Sequence, residues 1–212
     1  DEITAKTLRI LEVYIDPVEV DRTGDLPEET LLALASVGSF GMLIPREYGG
    51  LGLSHAMFQR ALGRIAGFSN AVAAIFVAHQ CLGAVQPLLL FGSSDQKRRH
   101  LPRLAQGAIS AFAYTEPGMG LDLATMRMTA DPLPDGSGYR LNGEKMWCVN
   151  GPLAEYVVVF AVIPASRQVT AFLIESDTPG LEVVHHCSFM GLRGLSCGML
   201  RFHGLEASAE NV

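Results

Sequence analysis

Ala113-Tyr-Thr-Glu-Pro-Gly-Met-Gly-Leu-Asp122 and Leu141-Asn-Gly-Glu-Lys-Met-Trp-Cys-Val-Asn-Gly151 are the two stretches on which the reading of this chain turns. Both lie beyond Ser110, where the sequence changes character. Before that point, apolar residues recur at the spacing of one helix face. After it come short β-rich runs separated by glycine turns. A helical half followed by a β half already narrows the choice of fold.

The first half predicts five helices. Leu8, Leu11 and Ile15 repeat at helical spacing over residues 3–14. Asp25-Leu-Pro-Glu-Glu29 reads as a helix start, with a capping carboxylate, an early proline and acids in the first turn. That helix is expected to stop at Gly38. Glu47-Tyr-Gly-Gly-Leu-Gly52 is a glycine-rich loop, and Ser54 caps the next helix. Asn70 opens a long apolar helix that is expected to break near Pro87 or Gly92. Ser94 and Asp95 begin another, ended by Gly107. In the second half, residues 156–163, 169–175, 181–186 and 199–203 read as strands. Asp135-Gly-Ser-Gly138 and Asp177-Thr-Pro-Gly180 are turns. The expected fold class is α+β: an N-terminal α-helical bundle over residues 1–109, then an antiparallel β-barrel or sandwich over 110–212.

Composition excludes several classes. Nearly half of the 212 residues are apolar and 18% are charged, which supports packed cores rather than disorder. The net charge is −6, and neither half is basic, so no nucleic-acid partner is expected. Lys97-Arg98-Arg99 reads as a solvated helix face. The four cysteines have no C-x-x-C spacing, which points to free thiols in a reducing compartment. Cys81 and Cys148 read as buried packing residues. His185 and His186 point to opposite faces of a strand, so no shared metal is expected. The apolar run 71–91 contains His79, Gln80, Gln86 and Pro87, which favours a buried helix over a membrane span. The abundance of arginine over lysine suggests a bacterial source, and the cytoplasm is the expected location. The chain starts at Asp1 without methionine, so its true N-terminus is expected to lie upstream.

The two opening stretches resemble the flavin-facing segments of the acyl-CoA dehydrogenase family. The family's Thr-Glu-Pro-x-Ala-Gly-Ser-Asp stands here as Thr115-Glu-Pro-Gly-Met-Gly-Leu-Asp122. Its Asn-Gly-x-Lys-x-Trp-Ile-Thr-Asn-Gly stands as Asn142-Gly-Glu-Lys-Met-Trp-Cys-Val-Asn-Gly151. Pro45-Arg-Glu-Tyr-Gly-Gly-Leu-Gly52, Phe91-Gly-Ser-Ser-Asp-Gln-Lys97, Met190-Gly-Leu-Arg-Gly194 and Ala209-Glu-Asn211 extend the resemblance collinearly from about residue 21 to residue 212.

The resemblance implies FAD as cofactor. It also implies α,β-dehydrogenation of an acyl-CoA or other acyl thioester, in which a carboxylate takes the α-proton and hydride passes to flavin N5. An electron-transfer flavoprotein or another acceptor would receive the electrons, and a homo- or hetero-oligomer is expected. Phe112, Tyr114, Thr115, Gly120, Leu121, Trp147 and Val149 are the implied cofactor-binding residues, and Leu121 also faces substrate. Taken alone, Trp147 reads as a core anchor and Thr115 as a turn residue; their joint spacing favours the flavin. Glu116 has a structural role in the family. Two departures are the family serine, which is Leu121 here, and the family threonine, which is Val149. Valine keeps the shape and loses the hydroxyl. Met119 replaces an alanine and adds bulk beside the acyl path. The family's base lies on a C-terminal helical bundle expected beyond Val212. The alternatives are a non-catalytic or split-enzyme subunit with a degenerate flavin site, and a flavin monooxygenase on the same fold.

Overall fold

The computed structural model describes residues 2–120 and 122–212. The chain divides into two compact units. One comprises Asp1–Ile109 with Ser188–Leu195; the other comprises Ser110–Cys187 with Ser196–Val212.

The first unit is helical: α1 (Glu2–Tyr14), α2 (Pro17–Thr23), α3 (Glu28–Ser36), α4 (His55–Ala66), α5 (Asn70–Val77), α6 (Val85–Phe91) and α7 (Ser94–Ala105). Local chemistry explains most boundaries. Ser54 caps α4 by accepting from Met57 N–H, as the sequence predicts. Ser93 and Gln96 form a reciprocal capping box on α7, and the helix begins at Ser94 as expected. Two expectations are corrected. Asp25 does not cap α3; Pro27 occupies that position and its side chain makes no capping bond. The five expected helices also omit α2, where Asp16 accepts from Val18 and Glu19 N–H and left-handed Gly24 ends the helix. The long apolar run ends at Gly92, the second of the two expected points, but it is also interrupted before Pro87. A π-helical turn, Ala78–Leu82, follows α5, and α6 restarts at Val85. Taken together, Asn70–Phe91 is the one helical run among the described residues long and apolar enough to cross a membrane; half of its most apolar window is buried.

The π-turn turns two polar side chains inward. Gln80 accepts from Leu43 N–H at 2.9 Å and donates to Ser39 O at 3.1 Å, pinning residues 39–44 to the helix. His79 is fully buried and edge-on to Phe40, their ring centroids 5.4 Å apart. Gly50 is required by close approach, because a Cβ there would lie 2.1 Å from Ile44 O. The segment 188–195, expected with the β domain, packs with the helices instead. Arg193 donates to the carbonyls of Asp21 at 2.9 Å and Arg22 at 3.2 Å, at the end of α2.

The second unit is a sheet of β1 (Ser110–Ala113), β2 (Thr129–Pro132), β3 (Gly138–Val149), β4 (Tyr156–Ile163), β5 (Gln168–Glu175), β6 (Leu181–His186) and β7 (Cys197–Ser208). The order is β1-β4-β2-β3-β7-β6, with β5 pairing β4. The expectation of a purely antiparallel sheet is corrected: β1 pairs β4 in parallel, and β2 touches β4 in parallel at Thr129 and Val162. The outer strand β6 carries exposed Glu182, His185 and His186 along its length. Alternation assigns the faces. Ala111, Ala113, Val157, Val159 and Ala161 enter the main core with Leu141, Phe172, Leu200 and Phe202. Each such large apolar side chain stabilises by about 1.5–3 kcal/mol. The intervening residues Phe112 and Phe160 therefore lie on the opposite face.

Burial pushes the His79 imidazole down from 6.5 to about 4, and backbone groups of Leu104 and Phe40 oppose this only in part. Folded His79 is then neutral over a range in which the unfolded residue takes up a proton. Stability is complete above pH 6.5 and is lost as pH falls toward 4, by up to about 3 kcal/mol. Chemical denaturation at pH 7 and pH 4 should show a loss smaller by about that amount in His79→Gln than in the parent. An equal loss in both would contradict it.

Candidate functional site

The motifs 113–122 and 141–151 meet through one buried ion pair. Lys145 Nζ lies 2.8 Å from Glu116 Oε1; the side chains are 0% and 3% exposed. The ammonium also donates to Tyr114 O at 3.0 Å. The Glu116 carboxylate accepts from Arg127 N–H at 2.7 Å and Met128 N–H at 3.0 Å. Met146 N–H donates to Thr115 O at 2.8 Å, so backbone joins backbone beside the pair. Desolvation pulls the Lys145 pKa below its ordinary value, and the Glu116 hydrogen bond and charge oppose it. With Lys145 and two amides on its oxygens, Glu116 is a clip between the segments 114–116, 127–128 and β3. It is not a free carboxylate.

The inward turn of Lys145 constrains the next residues of β3. Between Lys145 and Cys148 the register against β7 shifts, because Lys145 faces Leu200 while Cys148 faces Gly198. This bulge inserts one extra residue and turns Trp147 outward. Trp147 has φ +54°, in the left-handed region, and is 59% exposed. A non-glycine residue there costs about 1–2 kcal/mol. The only tryptophan in the chain is thus held in a strained, outward position, which excludes the core-anchor reading. Asn150 follows at φ +65°, donating from its side chain to Ser110 O at 3.2 Å. Asn150 N–H also donates to Ser196 O at 2.9 Å. Antiparallel alternation then makes Val149 and Cys197 a non-hydrogen-bonded pair, so the Val149 N–H points away from β7.

Phe112 and Tyr114 stack with ring centroids 6.0 Å apart, on the sheet face opposite the main core. Phe160, absent from the sequence-derived set, completes the cluster at 5.2 Å from Phe112 and 5.6 Å from Tyr114. All three rings are half-buried. Its sequence signal is its position in β4, out of phase with the core residues Val157, Val159 and Ala161. Met119, expected beside an acyl path, is 4% exposed and packs with Met126 and Val162 against Tyr114 and Phe160. It is core because the turn after Glu116, closed by Met119 N–H to Glu116 O at 3.0 Å, folds it inward. Gly120 is exposed, and a Cβ there would meet nothing within 4 Å. Leu121 lies outside the described residues. Cys148 is buried as expected, while Cys81 is only half-buried.

The N-terminal-domain profile of the acyl-CoA dehydrogenases matches residues 2–108, and the middle-domain profile matches 111–205. The chain belongs to the acyl-CoA dehydrogenase family. FadE10 of Mycobacterium tuberculosis, named a probable acyl-CoA dehydrogenase, is 41% identical over 209 residues, covering 95% of this chain and 32% of that protein. The rat mitochondrial very long-chain specific acyl-CoA dehydrogenase is 37% identical over 221 residues, covering 100% of this chain and 33% of that protein. This member therefore spans about a third of the length of these curated relatives. Among solved structures, an acyl-CoA dehydrogenase from Bacillus anthracis complexed with FAD superposes with a TM-score of 0.88 at 29% identity, covering 99% of this chain and 36% of that one.

The left-handed backbone at Trp147 has a direct consequence. Glycine relieves the strain and alanine does not, so Trp147→Gly should be more stable than Trp147→Ala by about 1 kcal/mol in urea unfolding followed by circular dichroism. Equal stability, or the reverse order, would show that the position is unstrained.

Proposed function

We propose that this chain forms the helical and β portion of a FAD-dependent enzyme that dehydrogenates an acyl-CoA, or a related acyl thioester, between its α and β carbons. The observation that carries the reading is Trp147: a wide aromatic face, strained and exposed, on a bulge buttressed by a buried ion pair. A fold that holds an apolar indole outward at an energetic cost has a use for it.

The residues present fit a flavin. An isoalloxazine needs an apolar wall and polar partners along one edge. Trp147 supplies the wall. The Thr115 hydroxyl and the Val149 N–H supply polar contacts, and the orientation of that N–H explains how a valine can stand where the family has threonine. Phe112 and Tyr114 support the segment that carries Thr115, and open Gly120 gives a phosphate or thioester close access to the backbone. FAD, when bound, supplies the hydride acceptor. The chain's residues orient it, shield one face from water and keep Thr115 and Val149 in register through Glu116 and Lys145.

Glu116 is not the base in this reading, because its oxygens already serve Lys145 and two amides. No residue of this chain is assigned that role. An electron-transfer flavoprotein or comparable acceptor, assembly into an oligomer and a bacterial cytoplasmic setting complete the proposal.

Two measurements test it. FAD titrated into the full-length protein should bind one per chain and quench Trp147, the only tryptophan of this chain. Anaerobic mixing of the holoenzyme with a panel of acyl-CoAs should bleach the flavin with at least one. Failure to take up FAD would favour a non-catalytic subunit, and bound flavin that no acyl-CoA bleaches would refute the dehydrogenase.

A further inference from the structure

Cys187 and Cys197 stand at the two ends of an excursion. The chain leaves the β unit after Cys187, places residues 188–195 with the helical unit, and returns at Ser196. Its ends meet across the sheet: Cys187 N–H donates to Cys197 O at 2.8 Å, and the β6–β7 register continues to place Cys187 opposite Cys197. The ladder explains the contact. Cys197 is non-hydrogen-bonded toward Val149 on β3, so its backbone groups turn toward β6 and its continuation at Cys187. A hydrogen-bonded antiparallel pair has Cα atoms about 5.5 Å apart. That lies inside the range of about 4.4–6.8 Å that a disulfide spans. Cys187 is partly exposed, whereas Cys197 is 2% exposed. One thiol is therefore open to a small oxidant, and its partner is sheltered and in place.

We propose that Cys187 and Cys197 form a peroxide-sensitive dithiol, closing reversibly to a disulfide at the neck of the 188–196 excursion. The Cys187 thiolate attacks one oxygen of hydrogen peroxide and breaks the O–O bond. It becomes a sulfenic acid, and the departing hydroxide takes a proton to give water. The Cys197 sulfur then attacks the Cys187 sulfur and displaces its hydroxyl, which leaves as a second water carrying the Cys197 proton. The two sulfurs lose two electrons and the peroxide gains them. Burial raises the Cys197 thiol above its ordinary value, and exposure makes Cys187 the thiol that peroxide reaches first. The bond covalently joins both ends of the segment that carries Arg193. It forms beside Cys197's other cross-strand partner, Val149, and so adjoins the candidate flavin site without depending on its assigned function.

The sequence provides a clean assay. Arg167, Arg193 and Arg201 place Cys187 alone in tryptic peptide 168–193 and Cys197 alone in peptide 194–201. The full-length folded protein is treated with hydrogen peroxide, blocked with an alkylating agent and digested without reductant. The expected result is loss of both free peptides and appearance of one disulfide-linked pair. Its rate should be independent of protein concentration, and a dithiol reductant should reverse it. Cys197→Ser should abolish the pair and leave Cys187 as sulfenic or higher acids. Recovery of parent Cys187 as sulfinic or sulfonic acid with Cys197 free would overturn the proposal. So would linkage of either residue to Cys148, or a rate proportional to protein concentration. None of these readouts uses flavin or activity, so they stand apart from the dehydrogenase assay.

Discussion

A charge buried on a β-strand needs a partner, and here Lys145 finds it in Glu116. Removing either ion from water costs several kcal/mol, and only close geometry with further hydrogen bonds offsets that cost. Those bonds come from Tyr114 O on one side and the amides of Arg127 and Met128 on the other. The pair can therefore exist only when segments 114–116, 127–128 and β3 are in register. Two motifs far apart in sequence become one local structure because misalignment would leave a buried charge unpaired.

The exposed features of the site follow from that constraint. With Lys145 turned in, the next residues must return β3 to its pairing with β7, and they do so through a bulge. The bulge puts Trp147 into left-handed backbone and outside the fold. It also sets Val149 with its N–H away from β7. In the flavin site proposed above, this N–H is the donor that stands in for the family's threonine hydroxyl. Polar satisfaction in the interior and presentation of an aromatic face at the surface are two ends of one strand.

The sequence is most legible where period and chemistry agree. Residues 156–163 are apolar on both sides of a central strand, so composition alone marks β4. Ser54 as a cap and residues 181–186 as a strand are legible for similar reasons. The period of β3 does not mark it as a strand, because Lys145 is inside and Trp147 outside, inverting the usual pattern; its importance shows as a motif. α2 is too short for periodicity, although Asp16 before Pro17 marks its start. The placing of Ser188–Leu195 with the helices depends on Arg193 reaching carbonyls more than 170 positions away, which no local pattern encodes. Phe160 joins Phe112 and Tyr114 only because β1 runs parallel to β4.

The central claim is that Glu116 and Lys145 act as one unit holding both motifs. A double-mutant cycle with Glu116→Gln and Lys145→Met, read by urea unfolding at pH 7, tests it most directly. Each single change should cost about 3–5 kcal/mol, because it strands its partner. The double variant should be more stable than additivity predicts by about 2–3 kcal/mol. Additive effects below about 1 kcal/mol each would contradict the account, because the two motifs would then be aligned by something other than this pair.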